Sequence, residues 1–204
     1  MKNVTSLVTG GTGFIGKRLV QTLLQNGIEI RLLSRSQKHE NTIICDLQTE
    51  NIPKNTFVGI DLVFHLAARA HKVADHSERQ MEEFRKINRD ATYRLAMEAA
   101  KTGVKRFVYV SSIGVLGSST SNDCPFDNKT PYNPNESYAI SKMEAEICLK
   151  KISNSTEMEV VIVRPPLVYG SAAPGNFHRL LKLVGSGLPL PLGGLHSKKS
   201  MISL

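Results

Sequence analysis

The chain has 204 residues, 41% of them hydrophobic and 22% charged, enough for one globular domain with a substantial core and the beginning of a second. Lys and Arg (26) outnumber Asp and Glu (18) for a net charge of +8, but the cations are scattered without a basic block and Trp is absent, which argues against a nucleic-acid partner. Cys45, Cys124 and Cys148 lie far apart with no Cys-x-x-Cys pair, so neither a metal site nor a disulfide framework is expected. The N-terminus lacks a signal pattern and no apolar run reaches the length of a membrane span, so the expected location is cytoplasmic.

Val4 to Val8 reads as a buried strand. After Gly13 the period becomes helical, with Ile15, Leu19, Val20, Leu23 and Leu24 on one face and Asn26-Gly27 as a stop. Strands follow at 28–33, 42–45 and 61–68, the last (DLVFHLAA) apolar throughout, as a strand covered on both faces should be. A long helix is predicted over 78–102, a strand over 106–111, a polar loop over 117–135, a helix over 137–151 and a strand over 159–163. This alternation predicts an α/β fold, a Rossmann-like doubly wound parallel sheet filling residues 1–165. Residues 166–204 are Pro- and Gly-punctuated, with a helical stretch at 177–184 and a strand at the end, and read as an incomplete C-terminal substrate-binding part.

Gly10, Gly13 and Gly16 stand at three-residue intervals between the first strand and the first helix. In that context the first glycine permits a sharp turn, the second lets a pyrophosphate approach bare backbone, and the third lets the helix pack on the sheet. The helix N-terminus then presents unpaired N–H groups to the phosphates. The second strand ends in Leu33-Ser34-Arg35 rather than in a carboxylate. Arg35 is suited to a 2′-phosphate, which favours NADP(H) within NAD(P); an exposed turn arginine is the plain alternative. Asp46 is placed either to accept from an adenine amino group or to cap a turn.

Tyr138 and Lys142 are four residues apart and share a helical face. A cation beside a phenol lowers its pKa, so Tyr138 is the candidate acid/base for a sugar or alcohol hydroxyl, with Ser112 offering a hydroxyl to the same oxygen. His65 reads as a satisfied core histidine, and His71 as either a substrate-facing group or part of a solvated turn.

Taken in order, TGGTGFIG, CDL (45–47), HLAA (65–68), Asn88, VYVSSIGVLG, YAISK and RPPLVYG resemble the extended short-chain dehydrogenase/reductases, in their nucleotide-sugar epimerase/dehydratase branch. The resemblance implies that Phe14 and Ile15 join the glycines in cradling the pyrophosphate, that Asp46 and Leu47 flank the adenine, and that Ala67 and Ala68 line the groove. It implies that Tyr138 is the acid/base, that Lys142 holds the nicotinamide ribose, that Ser112 positions the sugar and that Asn88 braces the central helix. Ile113-Gly114 stands where dehydratases carry an Asp-Glu pair, so a 4,6-dehydratase is not expected. The segments around Asn176 and Leu190, with Lys199 near a phosphate grip, are similar to those that hold a UDP-sugar. The expected activity is therefore 4-epimerisation or 4-ketoreduction of a UDP-hexose in a homodimer formed through the two long helices. Leu116 replaces a tyrosine that many members carry, and members run on for about a hundred residues more, the scale of a small domain. The chain thus reads as truncated, and a catalytically silent dinucleotide-binding protein is the alternative.

Overall fold

The computed structural model describes residues 4–37, 39–49, 51–70, 78–121, 124–171, 173, 182–186 and 198–204. The chain divides into two compact units, Met1–Arg164 and Pro165–Leu204.

In the first unit six strands, β1 (Thr5–Thr9), β2 (Glu29–Ser34), β3 (Thr42–Ile44), β4 (Leu62–His65), β5 (Arg106–Val110) and β6 (Glu159–Val163), form one sheet. Their order is β3-β2-β1-β4-β5-β6, and every neighbouring pair is parallel. Helix α1 (Phe14–Gln25) covers one face, where Leu19, Val20 and Leu23 pack on Val8, Ile30 and Leu32. Helices α3 (Thr92–Lys101) and α4 (Ser137–Ser155) cover the other, where Leu95, Ala99, Ala145 and Leu149 meet Leu7, Val63, Phe107 and Tyr109. Leu7 and Val8 therefore point into different cores, which is why the central strands are apolar at successive positions rather than alternating.

The order reverses at β1, whose neighbours β2 and β4 lead the chain outward in opposite directions. Such a switch point leaves a crevice at the carboxyl ends of the strands, because the loops that follow diverge.

Two boundaries differ from the sequence expectation. The fourth strand stops at His65, and Leu66 to Ala68 leave the sheet to line that crevice. The long helix predicted over 78–102 is interrupted: α2 (Glu78–Phe84) gives way to a π-helical segment, Arg85–Ala91, before α3 begins. The wider turn places Asn88 inward and buried, where it bonds to the backbone of a neighbouring loop; hydrophobic periodicity carries no sign of this.

In the second unit β7 (Leu167–Tyr169) pairs in parallel with β8 (Met201–Ser203), and residues 182–185 are helical. The rest of the helix expected over 177–184 lies outside the described residues.

Candidate active site

At the switch point a cleft of about 480 Å³ is lined by Gly10, Gly13, Arg35, Asp46, Leu47 and Ala67, among others. The three glycines of its floor are required for different reasons. Gly10 has φ +71°, and a Cβ there would lie 2.5 Å from the Ala67 backbone nitrogen. Gly16 sits against the same turn, where a Cβ would drive into the Gly10 carbonyl oxygen. Both are demanded by the fold itself. Gly13 is not: its φ of −74° and ψ of 175° suit any residue, and a Cβ would meet only the Gly10 carbonyl oxygen, at 3.2 Å. The space above Gly13 is left open at the N-terminus of α1, which has no side-chain cap and no acidic residue in its first turn. Open space, uncapped N–H groups and the positive end of a helix are what an anionic pyrophosphate needs.

Around this floor, Arg35 is exposed at the rim beyond Ser34, and Ala67 and Ala68 form the wall that follows β4. Asp46 uses one carboxylate oxygen to accept from the Gln48 backbone N–H at 3.0 Å, so the turn-capping reading holds while the residue also lines the cleft. Thr9, at the end of β1, accepts from the Ala67 backbone N–H at 3.2 Å and ties the wall to the sheet.

Beneath that contact lies His65, with Nδ1 2.6 Å from Thr9 Oγ1 and Nε2 2.8 Å from Thr92 Oγ1. Burial first, and the nearby Lys142 second, lower its pKa to about 3. It is a neutral, fully hydrogen-bonded core histidine, as its sequence context suggests. No group of three or more metal-ligating side chains occurs among the described residues.

The second cluster stands at the carboxyl end of β5. Ser112 caps a 3₁₀ turn, Ile113–Val115, with its Oγ accepting from the Gly114 N–H at 3.2 Å. A Cβ placed on Gly114 would touch both Ser112 Oγ (3.4 Å) and Ala139 Cβ (3.6 Å), so this turn packs on the first turn of α4, where Tyr138 lies. The Tyr138 ring meets Phe84 edge-on at 6.1 Å. Lys142 is 1% exposed, and among the described residues its Nζ makes no hydrogen bond; it sits 4.2 Å from the centroid of the Tyr109 ring. Burial lowers its pKa to about 7, against an upward pull from Glu146.

One sequence expectation fails here. Tyr138 is not primed: burial raises its pKa, and in this arrangement the depression expected from Lys142 does not offset that. Lys142 loses its charge near neutrality and is no cation where a phenol titrates, so the phenol is a protonated acid in the free protein.

Asn88 joins the cleft wall to α4. Its Oδ1 accepts from the Arg69 N–H (2.9 Å), and its Nδ2 donates to the Arg69 carbonyl (3.1 Å) and to Ser141 Oγ (3.0 Å). Arg69 itself pairs with Glu83 at 2.6 Å. Leu116 is buried in the core. Of the expected substrate residues, Lys199 is exposed in the second unit, whereas Asn176 and Leu190 lie outside the described residues, as does His71. Sequence reading missed the ion pair of Arg164 with Glu146, which is fully buried one helical turn beyond Lys142. The signal was present, since Glu146 repeats the four-residue spacing of Tyr138 and Lys142.

Comparison with known proteins places the chain in a family. The sequence profile of the NAD dependent epimerase/dehydratase family matches residues 6–186. The chain belongs to that family. A UDP-glucose 4-epimerase of Vibrio cholerae is 37% identical over 208 residues, covering 97% of this chain and 62% of the relative. An N-acetyl-alpha-D-glucosaminyl-diphospho-ditrans,octacis-undecaprenol 4-epimerase of Escherichia coli O157:H7 is 30% identical, covering 98% of this chain and 59% of the relative. Among solved structures, MoeE5 in complex with UDP-glucose and NAD superposes with a TM-score of 0.81 at 28% identity, over 98% of this chain and 67% of its own. The chain thus spans about three fifths of the length of these curated relatives. The switch-point cleft fits a dinucleotide through the open space over Gly13 at the uncapped N-terminus of α1.

Proposed function

We propose that this epimerase/dehydratase acts at C4 of a UDP-hexose, by 4-epimerisation or 4-ketoreduction, with Tyr138 as proton carrier. The observation that carries the reading is that Ser112 ends β5 in a turn packed on the first turn of α4, the helix that bears Tyr138 and Lys142, and that α4 is tied through Ser141 and Asn88 to Arg69 in the wall of the switch-point cleft. In the proposal Gly10, Gly13, Phe14, Ile15 and Gly16 seat the pyrophosphate. Asp46 and Leu47 flank the adenine, Ala67 and Ala68 line the groove, and Lys142 holds the ribose.

A bound nicotinamide supplies the hydride chemistry; the protein supplies orientation and the proton. Tyr138, protonated in the free protein, is suited to donate to a ketone oxygen as it becomes an alcohol, and Ser112 is placed to donate to the same oxygen. The reverse direction requires Tyr138 as a base, and therefore a cation close enough to offset its burial. Ile113 and Gly114 offer no carboxylate for eliminating water.

Arg35 at the rim, with no carboxylate closing β2, supports NADP(H) as the preferred cofactor. The relatives' substrates support UDP-sugars, and Lys199 is assigned with Asn176 and Leu190 to hold them. The α2–α3 and α4 surfaces are proposed to pair two copies. No helix among the described residues is long and apolar enough to cross a membrane, and the three cysteines are free, which supports cytoplasmic residence.

Calorimetric titration of the chain with NAD, NADPH and a panel of UDP-sugars tests this, followed by turnover assays on the pairs that bind. Epimerisation leaves the cofactor unchanged, whereas ketoreduction consumes NADPH one for one. Binding of dinucleotide without any UDP-sugar would replace the proposal with a silent dinucleotide-binding protein.

A further inference from the structure

Glu146 takes no part in the reading above, yet it is one of the most enclosed charges in the molecule, with 0% exposure. It lies on α4 one helical turn beyond Lys142 and two beyond Tyr138, at a constant spacing of four that keeps all three on one face. A buried carboxylate is destabilising unless its oxygens are filled. Here three chain segments fill them. Ser111, just past β5, donates to Oε1 at 2.5 Å; Tyr132, in the loop before α4, donates to Oε2 at 2.7 Å. Arg164, just past β6, straddles both oxygens, with Nη2 2.6 Å from Oε2 and Nε 3.1 Å from Oε1. Tyr132 is held in turn by Lys150 at 2.9 Å. Burial pushes the Glu146 carboxyl up, but the bonds from Arg164, Ser111 and Tyr132 outweigh it and hold the group below its ordinary value. The carboxylate is ionised and immobile.

Among the described residues the charged or titratable neighbours of Lys142 come from three elements. On α4 it faces Tyr138 and Glu146; from β5 the Tyr109 ring, and from β4 His65, which is neutral. Thr92 on α3 carries no charge. Among the described residues Glu146 is therefore the anion that acts on Lys142.

We propose that the Glu146–Arg164 pair is an electrostatic positioning device for Lys142: a bonded, ionised carboxylate one turn away on the same helix face holds charge on the lysine in a site dry enough to remove it. Arg164 is the outer half of the device. It keeps Glu146 charged and oriented, and of the two Glu146 is the one that acts on Lys142. The proposal rests on Lys142 serving the reaction as a cation, although the charge coupling itself is a property of the free protein.

The test reads the lysine directly. In protein carrying ¹³C-labelled lysine, the Cε resonance of Lys142, assigned by its loss in Lys142→Arg, is followed from acid to alkaline pH. Wild type is expected to titrate near neutrality. Glu146→Gln should lower the midpoint by about one pH unit or more, and Glu146→Asp, which restores the charge, should bring it back toward wild type. If Glu146→Gln does not fold, Glu146→Gln/Arg164→Gln, which leaves no lone buried charge, should show the same downward shift. An unchanged midpoint in the Gln variants overturns the proposal, as does an equal displacement by Asp and Gln, which would mark a packing role. NAD titration of the wild type is run alongside. A coupled midpoint in a protein that binds no dinucleotide sustains the coupling and overturns the cofactor reading instead.

Discussion

The three glycines of the first loop have separable fates under the same substitution. Gly10→Ala must hold an alanine at φ +71° and place its Cβ 2.5 Å from the Ala67 nitrogen, a backbone atom that cannot swing aside. The left-handed conformation costs about 1–2 kcal/mol and the overpacking about 1–3 kcal/mol, for a total of about 2–5 kcal/mol. In a unit of this size that lowers Tm by about 4–20 °C. Gly16→Ala belongs with it, since its Cβ would also lie 2.8 Å from the Gly11 Cα. Gly13→Ala is different. Its backbone is already in an ordinary region, and one contact at 3.2 Å is all a Cβ would meet. A poorer helix cap costs about 0.5–1 kcal/mol, but the stiffer unfolded chain returns a similar amount, so stability should stay within about 1 kcal/mol of wild type. What the methyl does occupy is the space assigned to the pyrophosphate. Losing one charge-assisted hydrogen bond there costs about 1.5–3 kcal/mol, which is about 10- to 150-fold in Kd. Thermal melts and dinucleotide calorimetry on the three variants read the two quantities independently. If Gly13→Ala melts as low as Gly10→Ala, or binds dinucleotide with the wild-type Kd, the division between fold-required and ligand-required glycines is wrong.

Two buried bases give stability a pH dependence. Lys142 falls from 10.5 to about 7 on folding and His65 from 6.5 to about 3, so in each window the unfolded chain holds a proton that the native protein lacks. Stability is therefore lost as pH falls through these windows, at up to about 1.4 kcal/mol per pH unit for each group. Tm should rise from pH 7 toward 8.5, short of the region near 9.0 where the raised Cys148 thiol begins to act in the opposite sense. Lys142→Met should flatten that rise, and a Tm that is level or falling across it in the wild type would refute the burial argument. For the cofactor, Arg35→Ser should weaken NADP(H) by about tenfold or more, one charge-assisted contact, while leaving NAD within a factor of about two. Equal effects on the two dinucleotides would return Arg35 to the status of a surface turn residue.

The fold and the location of the site were largely legible in the residues. Unbroken apolar runs such as Leu62 to His65 require a sheet covered on both faces, and three glycines between a strand and a helix place a crevice at a known point of that sheet. Tyr138 and Lys142 were visible because a helix converts a spacing of four into proximity. The π-helical interruption at Asn88 was hidden, because it arises from bonds to Arg69 and Ser141, residues 19 and 53 positions away.

What the sequence determined by itself is therefore whatever depends on local periodicity and on the absence of a side chain: the strands, the helices and the bare loop. What only the tertiary structure decided is the state of the charges. Spacing places a lysine beside a phenol, but burial raises the Tyr138 pKa and lowers that of Lys142, and Glu146, held by Arg164 from the end of another strand, pulls the lysine back up. Desolvation and long-range pairing are properties of packed surroundings, and no short stretch of sequence encodes them.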